Sequence, residues 1–300
     1  MAVQTEIWVR YIMNRLWKDN AFLANTFNDD QYVLGGKIVH IPQPGSKPTI
    51  VKNRSSFPGT AVLRADTDIT YTLDAYTSDP TQITAADMQE ITYDKIGSVF
   101  GDHAGQLVET VADDMIIKWL TGLAINVNTS GGASAGGLIT GQTGTRKVML
   151  AKDLKSAQKT MNLQNVPKTD RYALIESNML DQLTDDLTQT QYRDFSRSFN
   201  ETDGIVGKLY GFTILDRSAV AVASAAGAIN PLGAAVQTDD NVVSFCWQKD
   251  AIARALGERK FFERKDDPLY YGDIYSALLR MGGRRRRSDD FGIIKITAAP

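Results

Sequence analysis

Residues 84–121 read TAADMQEITYDKIGSVFGDHAGQLVETVADDMIIKWLT. Ile91, Ile96, Val99, Phe100, Leu107, Val108, Val111, Met115, Trp119 and Leu120 recur at steps of three and four, which predicts one amphipathic helix. Thr84 as N-cap with Asp87 three residues on is a weak capping-box start. At 1.5 Å per residue the helix would be about 55 Å long. Gly97, Gly101 and Gly105 fall on one stripe, although each costs about 1 kcal/mol relative to Ala in a helix interior. A bent or frayed helix and the close approach of another backbone are both open readings. Just before this segment, residues 37–76 alternate like an exposed β-ribbon, with Ile69, Tyr71 and Leu73 on one side and Thr70, Thr72 and Asp74 on the other. Pro42, Pro44, Pro48 and Pro58 interrupt its first half and blunt an exposed edge. Helix and ribbon are too extended to bury themselves in one compact chain of 300 residues, so the expectation is a protein that assembles.

Outward from this pair, residues 1–35 form an arm. Ile7, Trp8, Tyr11, Ile12, Leu16 and Trp17, interrupted by Arg10, Asn14, Arg15 and Lys18, predict an amphipathic helix and exclude a signal peptide. Gly35-Gly36 opens the ribbon, an extended loop over 36–83. Residues 84–150 carry the long helix and a Gly/Ser/Thr loop at 122–147. From 151 to 256 the pattern is α/β. Leu154, Ala157 and Met161 mark a helix, Tyr172 to Ile175 a strand, and Ser177 caps a short helix with Met179, Leu180, Leu183 and Leu187. Strand-like runs at 205–222 and 242–247 flank an Ala/Gly-rich loop, 223–241. Residues 257–300 return to strand alternation at 274–281 and 291–296 and are expected to rejoin the sheet beside the long helix.

Composition is ordinary for a globular chain, 43% hydrophobic and 23% charged, which excludes disorder and collagen-like repeats. A net charge of −2 gives no overall attraction to phosphates, unlike a dedicated nucleic-acid binder. The single cysteine, Cys246, sits between Phe245 and Trp247 and reads as a buried thiol in a protein kept in a reducing cytoplasm. No apolar run is long enough to span a membrane.

Candidate chemistry is weak. Gly132-Ala133-Ser134-Ala135-Gly136 matches the G-x-S-x-G nucleophile elbow, so a serine hydrolase using Ser134 is the alternative of another class. The flanking residues are loop-like, however, and both histidines, His40 and His103, precede the serine instead of following it. Gly141 to Lys147 lacks the spacing of a phosphate-binding P-loop. Two histidines and one cysteine offer no zinc pattern. Aspartate doublets at 29–30, 113–114, 185–186, 239–240, 266–267 and 289–290 read mostly as solvated turns or helix ends, since neighbouring carboxylates point apart. Arg284, Arg285, Arg286 and Arg287 read as a solvated strand end, or as partners for carboxylates of a neighbouring subunit, or last as phosphate contacts. No catalytic residue, cofactor or metal is expected.

The chain resembles the major capsid proteins of tailed double-stranded DNA bacteriophages. The resemblance rests on the order of parts and on Asp66-Thr67-Asp68-Ile69-Thr70-Tyr71-Thr72-Leu73, Tyr93-Asp94-Lys95, Gly207-Lys208-Leu209-Tyr210-Gly211-Phe212 and Tyr270-Tyr271-Gly272-Asp273-Ile274-Tyr275-Ser276. It implies an α+β, HK97-like capsid fold: N-terminal arm 1–35, extended β-hairpin loop 36–83, peripheral domain with spine helix 84–150, axial domain 151–256 and peripheral C-terminal strands 257–300. It further implies pentamers and hexamers forming the icosahedral head of a virion around double-stranded DNA, without specific DNA binding and without a membrane. Assembly would take place in the host cytoplasm, with a portal and separate scaffolding or decoration proteins as partners. Loop 223–241 would meet its copies around the capsomer axis, the ribbon would cross the adjacent subunit, and the arm would clamp beneath a neighbour. The residues expected at subunit interfaces are Trp8, Arg54, Phe57, Tyr71, Gly97, Gly101, Gly105 and Arg284 to Arg287. An encapsulin-type compartment shell is the alternative within the same fold. Because the chain begins almost at the arm, a scaffold encoded separately, or none, is expected.

Overall fold

The computed structural model describes residues 9–16, 20–34, 37–43, 45, 48–55, 57–59, 61–84, 95–200 and 204–300. Residues 9–16 are helical (α1) and Ala21–Ala24 forms one turn (α2). Six strands follow: β1 (Phe27–Asn28), β2 (Val33–Leu34), β3 (Ile38–Gln43), β4 (Thr67–Thr72), β5 (Asp74–Thr77) and β6 (Thr81–Thr84). The spine helix α3 (Lys95–Leu120) leads through β7 (Asn126–Asn128) to α4 (Ala151–Leu163), β8 (Arg171–Glu176), α5 (Ser177–Asp185) and α6 (Gln189–Ser196). Strands β9 (Ile205–Leu209), β10 (Phe212–Arg217), β11 (Ala221–Ala223) and β12 (Asn241–Gln248) come next. A long antiparallel hairpin, β13 (Ile252–Asp267) and β14 (Gly272–Arg285), precedes the last strand, β15 (Ile293–Thr297).

Three sheets result. The hairpin sheet has the order β1-β13-β14-β5, with β6 also on β14; the central sheet runs β7-β15-β12-β8-β10-β9, with β11 on β12; the ribbon sheet is β2-β3-β4. Strand β12 is buried at all eight positions. Its period-two alternation sends Val243, Phe245 and Trp247 into one core and Val242 and Cys246 into the other, as a strand covered on both faces requires. The second of these cores lies under α4 and α5, through Leu154, Ala157, Met161, Met179 and Leu183.

The first core decides how the spine helix is covered. Val111, Met115, Ile116, Trp119 and Leu120 are fully buried, packed with Leu16, Phe22 and Leu23 of the arm and with Ala277, Leu279 and Met281 of the hairpin. Phe22 meets Trp119 edge-on at 6.2 Å between centroids, and the Trp119 indole N–H donates to the Ala253 carbonyl at 3.1 Å. The helix ends where Gly122 takes φ +71°, and the Arg285 guanidinium donates to the Trp119 and Thr121 carbonyls at 2.9 and 2.6 Å. A cation there satisfies the orphan carbonyls and suits the negative end of the helix dipole.

Several expectations change. Thr84 does not cap the helix: it ends β6, opposite Gly272, while Asp87 lies outside the described residues. The described helix has 26 residues, or about 39 Å. From Ala104 to Leu120 its apolar face is covered by its own chain, and the arm residues Leu16, Phe22 and Leu23 are part of that cover. The division at residue 257 falls inside β13, and β15 leaves the hairpin sheet to pair with β12. Strand β7, from the segment read as peripheral, likewise joins the central sheet through β15. At the start of α5 the cap is Glu176, whose carboxylate accepts from the Met179 N–H at 3.0 Å, and not Ser177.

Candidate assembly surface

The ribbon has a built base and an uncovered end. Strands β3 and β4 pair over six residues, from Ile38 opposite Thr72 to Gln43 opposite Thr67. Val39 and Ile41 point inward and form a small core with Leu73 and Ala255. The Leu73 N–H donates to the Lys37 carbonyl at 2.8 Å, Arg284 donates to the Thr70 carbonyl at 2.7 Å, and His40 pairs with Asp68 at 2.6 Å. Under this base lies Asp29, fully buried. The Tyr71 hydroxyl donates to it at 3.4 Å, and Arg286 stands 3.8 Å from its other oxygen while stacking on the Phe27 ring at 3.7 Å. Burial raises the Asp29 carboxyl above its usual range, with the Arg286 charge pulling the other way. Burial, and then the Asp29 charge, likewise push the Tyr71 phenol up.

Beyond the base the strands separate from any ladder but stay side by side. The Gly45 N–H donates to an Asp66 carboxylate oxygen at 2.7 Å. Position 45 needs glycine because a Cβ would sit 2.1 Å from the Ala65 carbonyl. Past this closure Ile50 is 92%, Phe57 79%, Val62 82% and Leu63 95% exposed. Single exposed apolar residues are ordinary, but these four together with Val51 in one loop form a surface that water does not favour. A second uncovered tip lies at the β13–β14 turn, with Leu269 and Tyr271 exposed.

The residues expected at interfaces fall into distinct places. Arg54 and Phe57 are on the exposed loop, whereas Tyr71 is in the base. Trp8 lies outside the described residues, and Gly97 is helical. Gly101 and Gly105 are met by the arm: Arg15 donates to the Gly101 carbonyl at 2.8 Å, and a Cβ at 105 would stand 3.1 Å from its guanidinium. At Gly101 and Gly105, therefore, a side chain of the same chain approaches the stripe. Of the four arginines, Arg284 and Arg287 are exposed, as a solvated strand end would be, while Arg285 and Arg286 are half-buried. Besides the bonds of Arg284, Arg285 and Arg286 given above, Arg285 donates to Asp290 at 2.5 Å and Arg287 grips both oxygens of Asp289 at 2.8 and 2.5 Å. Sequence reasoning missed Asp29 and Arg15, whose partners are far away in the chain. It also missed the Leu269 tip, where Pro268 before Leu-Tyr-Tyr was the available signal.

Other candidate chemistry finds no support. The Ser134 hydroxyl donates to the Gly136 carbonyl at 2.6 Å and accepts from the Arg146 N–H at 2.9 Å. The two histidines are engaged elsewhere, His103 with Thr81 at 2.7 Å and His40 with Asp68. Among the described residues, no group of three His, Cys, Asp or Glu side chains could hold a metal, and no helix is long and apolar enough to cross a membrane. The aspartate doublets are less solvated than expected. Asp29, Asp240 and Asp267 are buried, and Asp113 pairs with Arg217 at 2.6 Å.

No family model and no curated protein matches the chain. Solved structures do. The capsid of cyanophage P-SCSP1u aligns over 92% of this chain and 86% of its own, at 19% identity and a TM-score of 0.58. The capsid of Ralstonia phage GP4 aligns over 92% and 87%, at 13% identity and 0.60. The head structure of Helicobacter pylori bacteriophage KHP40 aligns over 91% and 89%, at 11% identity and 0.61. Likeness over nearly the whole chain at such low identity is likeness of fold. The chain has the α+β, HK97-like fold seen in these phage capsids.

Proposed function

We propose that this chain is a major capsid protein, a structural and non-enzymatic subunit that assembles into the icosahedral head of a tailed phage. One observation carries the reading: on a capsid fold, a firmly based ribbon projects a loop whose large apolar side chains its own chain leaves in water. Burial of such surface is what drives association, and a typical stable contact removes about 1,600 Å² from water. Identical chains that meet head to tail close into rings, which fits pentamers and hexamers. The proposed head encloses double-stranded DNA without gripping it, in keeping with a net charge of −2. A portal and scaffolding or decoration proteins are the proposed partners, and the host cytoplasm the proposed place of assembly. Negative-stain electron microscopy of the purified protein tests this, with closed, uniform shells expected. A monomer at every concentration by sedimentation, with no particles on the grid, would sink the proposal.

A further inference from the structure

Where the arm meets the central sheet there is a pocket of about 570 Å³, lined by Ala21 and Ala24 of α2 and by Tyr172, Thr213 and Lys208 of β8, β10 and β9. Register sets the last three in a row. Thr213 stands opposite Tyr172 on one side and opposite Lys208 on the other. Residues paired in this way share a face of the sheet and lie about 5 Å apart from strand to strand. Tyr172 packs against the first core and stacks on Trp247, with ring centroids 5.7 Å apart and planes at 29°. The Trp247 indole N–H in turn donates to the Asn25 carbonyl of the arm at 3.0 Å.

The polar groups of this row have no work within the chain. Among the described residues Lys208 has no carboxylate partner, and neither the Tyr172 nor the Thr213 side-chain hydroxyl joins a hydrogen bond. Asp170 also lines the pocket and is likewise without an ion-pair partner. Burial first, and then the Asp170 charge, raise the Tyr172 phenol, so the carboxylate lies within electrostatic reach of that ring. The sequence of groups across the strands is therefore acceptor, aromatic ring, hydroxyl, cation. That is the complement of an amino edge, a base, a sugar and a phosphate. We infer that the pocket between α2 and strands β8, β10 and β9 binds a nucleotide unit. The base stacks on Tyr172 and donates its amino hydrogens to Asp170. The phosphate takes a charge-assisted hydrogen bond from Lys208. Because arm and sheet both line the pocket, the ligand braces one against the other and stabilises the folded chain.

The test is titration calorimetry of the purified full-length chain with AMP, adenosine, inorganic phosphate and a short single-stranded oligodeoxyadenylate. Saturable binding of AMP is expected, with a rise in melting temperature. Lys208→Gln should weaken AMP at least about tenfold and leave adenosine unchanged. Tyr172→Leu should weaken both by a similar factor. Should that variant fail to fold, since Tyr172 supports Trp247, Lys208→Gln still decides, because Lys208 is exposed. An oligonucleotide bound more tightly than AMP supports the inference with unpaired nucleic acid as the source; one bound less tightly supports it with the free nucleotide. Wild-type chain that does not bind AMP, binds inorganic phosphate as tightly, or keeps its AMP affinity in Lys208→Gln overturns the inference. None of these measurements needs a shell, so their failure leaves the capsid reading standing.

Discussion

Asp29 shows what a single buried carboxylate does to this chain. Its folded pKa is raised by burial, more than the Arg286 charge lowers it. The native state therefore holds that proton to higher pH than the unfolded chain, whose value is near 3.8. The stability it contributes is complete below the unfolded value and is lost as pH rises through the folded one. Asp29→Asn removes the titration, so the fall in urea midpoint between about pH 4 and about pH 7 should be smaller in the variant. An identical fall in the two proteins refutes this account. Gly283 is a steric counterpart. A Cβ there would stand 2.8 Å from the Trp119 indole nitrogen, 3.0 Å from the Ala253 carbonyl and 3.1 Å from the Met115 sulfur. Gly283→Ala is expected to cost about 1–3 kcal/mol, read from denaturant melts. Cys246 is fully buried, and burial pushes its thiol well above the ordinary range. It should ignore a thiol reagent in the native protein and react once the chain is unfolded in urea; fast labelling of the native state would place it nearer the surface.

The ribbon separates into a part that folds and a part that associates. Its base is tied to the rest of the chain by the Val39–Ile41–Leu73–Ala255 core and by Arg284. The loop beyond position 45 returns to position 66 with its two ends already in contact. Deleting residues 46–65 should therefore leave a chain with near-native thermal stability that no longer forms closed shells. Normal shells from the deletion variant would show that the loop has no part in assembly. The spine helix behaves differently. With Trp119, Met115 and Val111 inside the core of its own chain, it serves as a folding element. Trp119→Ala should cost about 3–5 kcal/mol in the isolated subunit by denaturant melt. A loss seen only in particles would mean the helix is covered by a neighbour after all.

For the molecule taken together, the parts that local pattern dictates could be read in advance. Apolar runs predicted the strands around Tyr172 and Val242, and alternation those at 274–281 and 291–296. Three- and four-residue spacing predicted α4 and the C-terminal part of the spine. The apolar setting of Cys246 predicted its burial. These features depend on neighbours a few residues away, which the chain itself displays. Pairing across long separations was not legible. Nothing near Asp29 announces Arg286, and nothing near Trp119 announces Phe22 or the Ala253 carbonyl. Nothing near the arginine run announces the Thr70, Trp119 and Thr121 carbonyls or Asp29, which come from distant segments. The same ignorance made the spine helix appear to need a neighbour along its length, when the arm and hairpin already cover it from Ala104 to Leu120.

By itself the sequence determined the order of elements, which faces of them are apolar, and an extended ribbon interrupted by prolines. Only the tertiary structure decided which of those faces its own chain covers, that β15 belongs to the central sheet, and that the ribbon loop and the β13–β14 tip are left to water. The physical reason is that hydrophobicity is a property of each residue, whereas burial depends on which distant residues arrive to exclude the solvent.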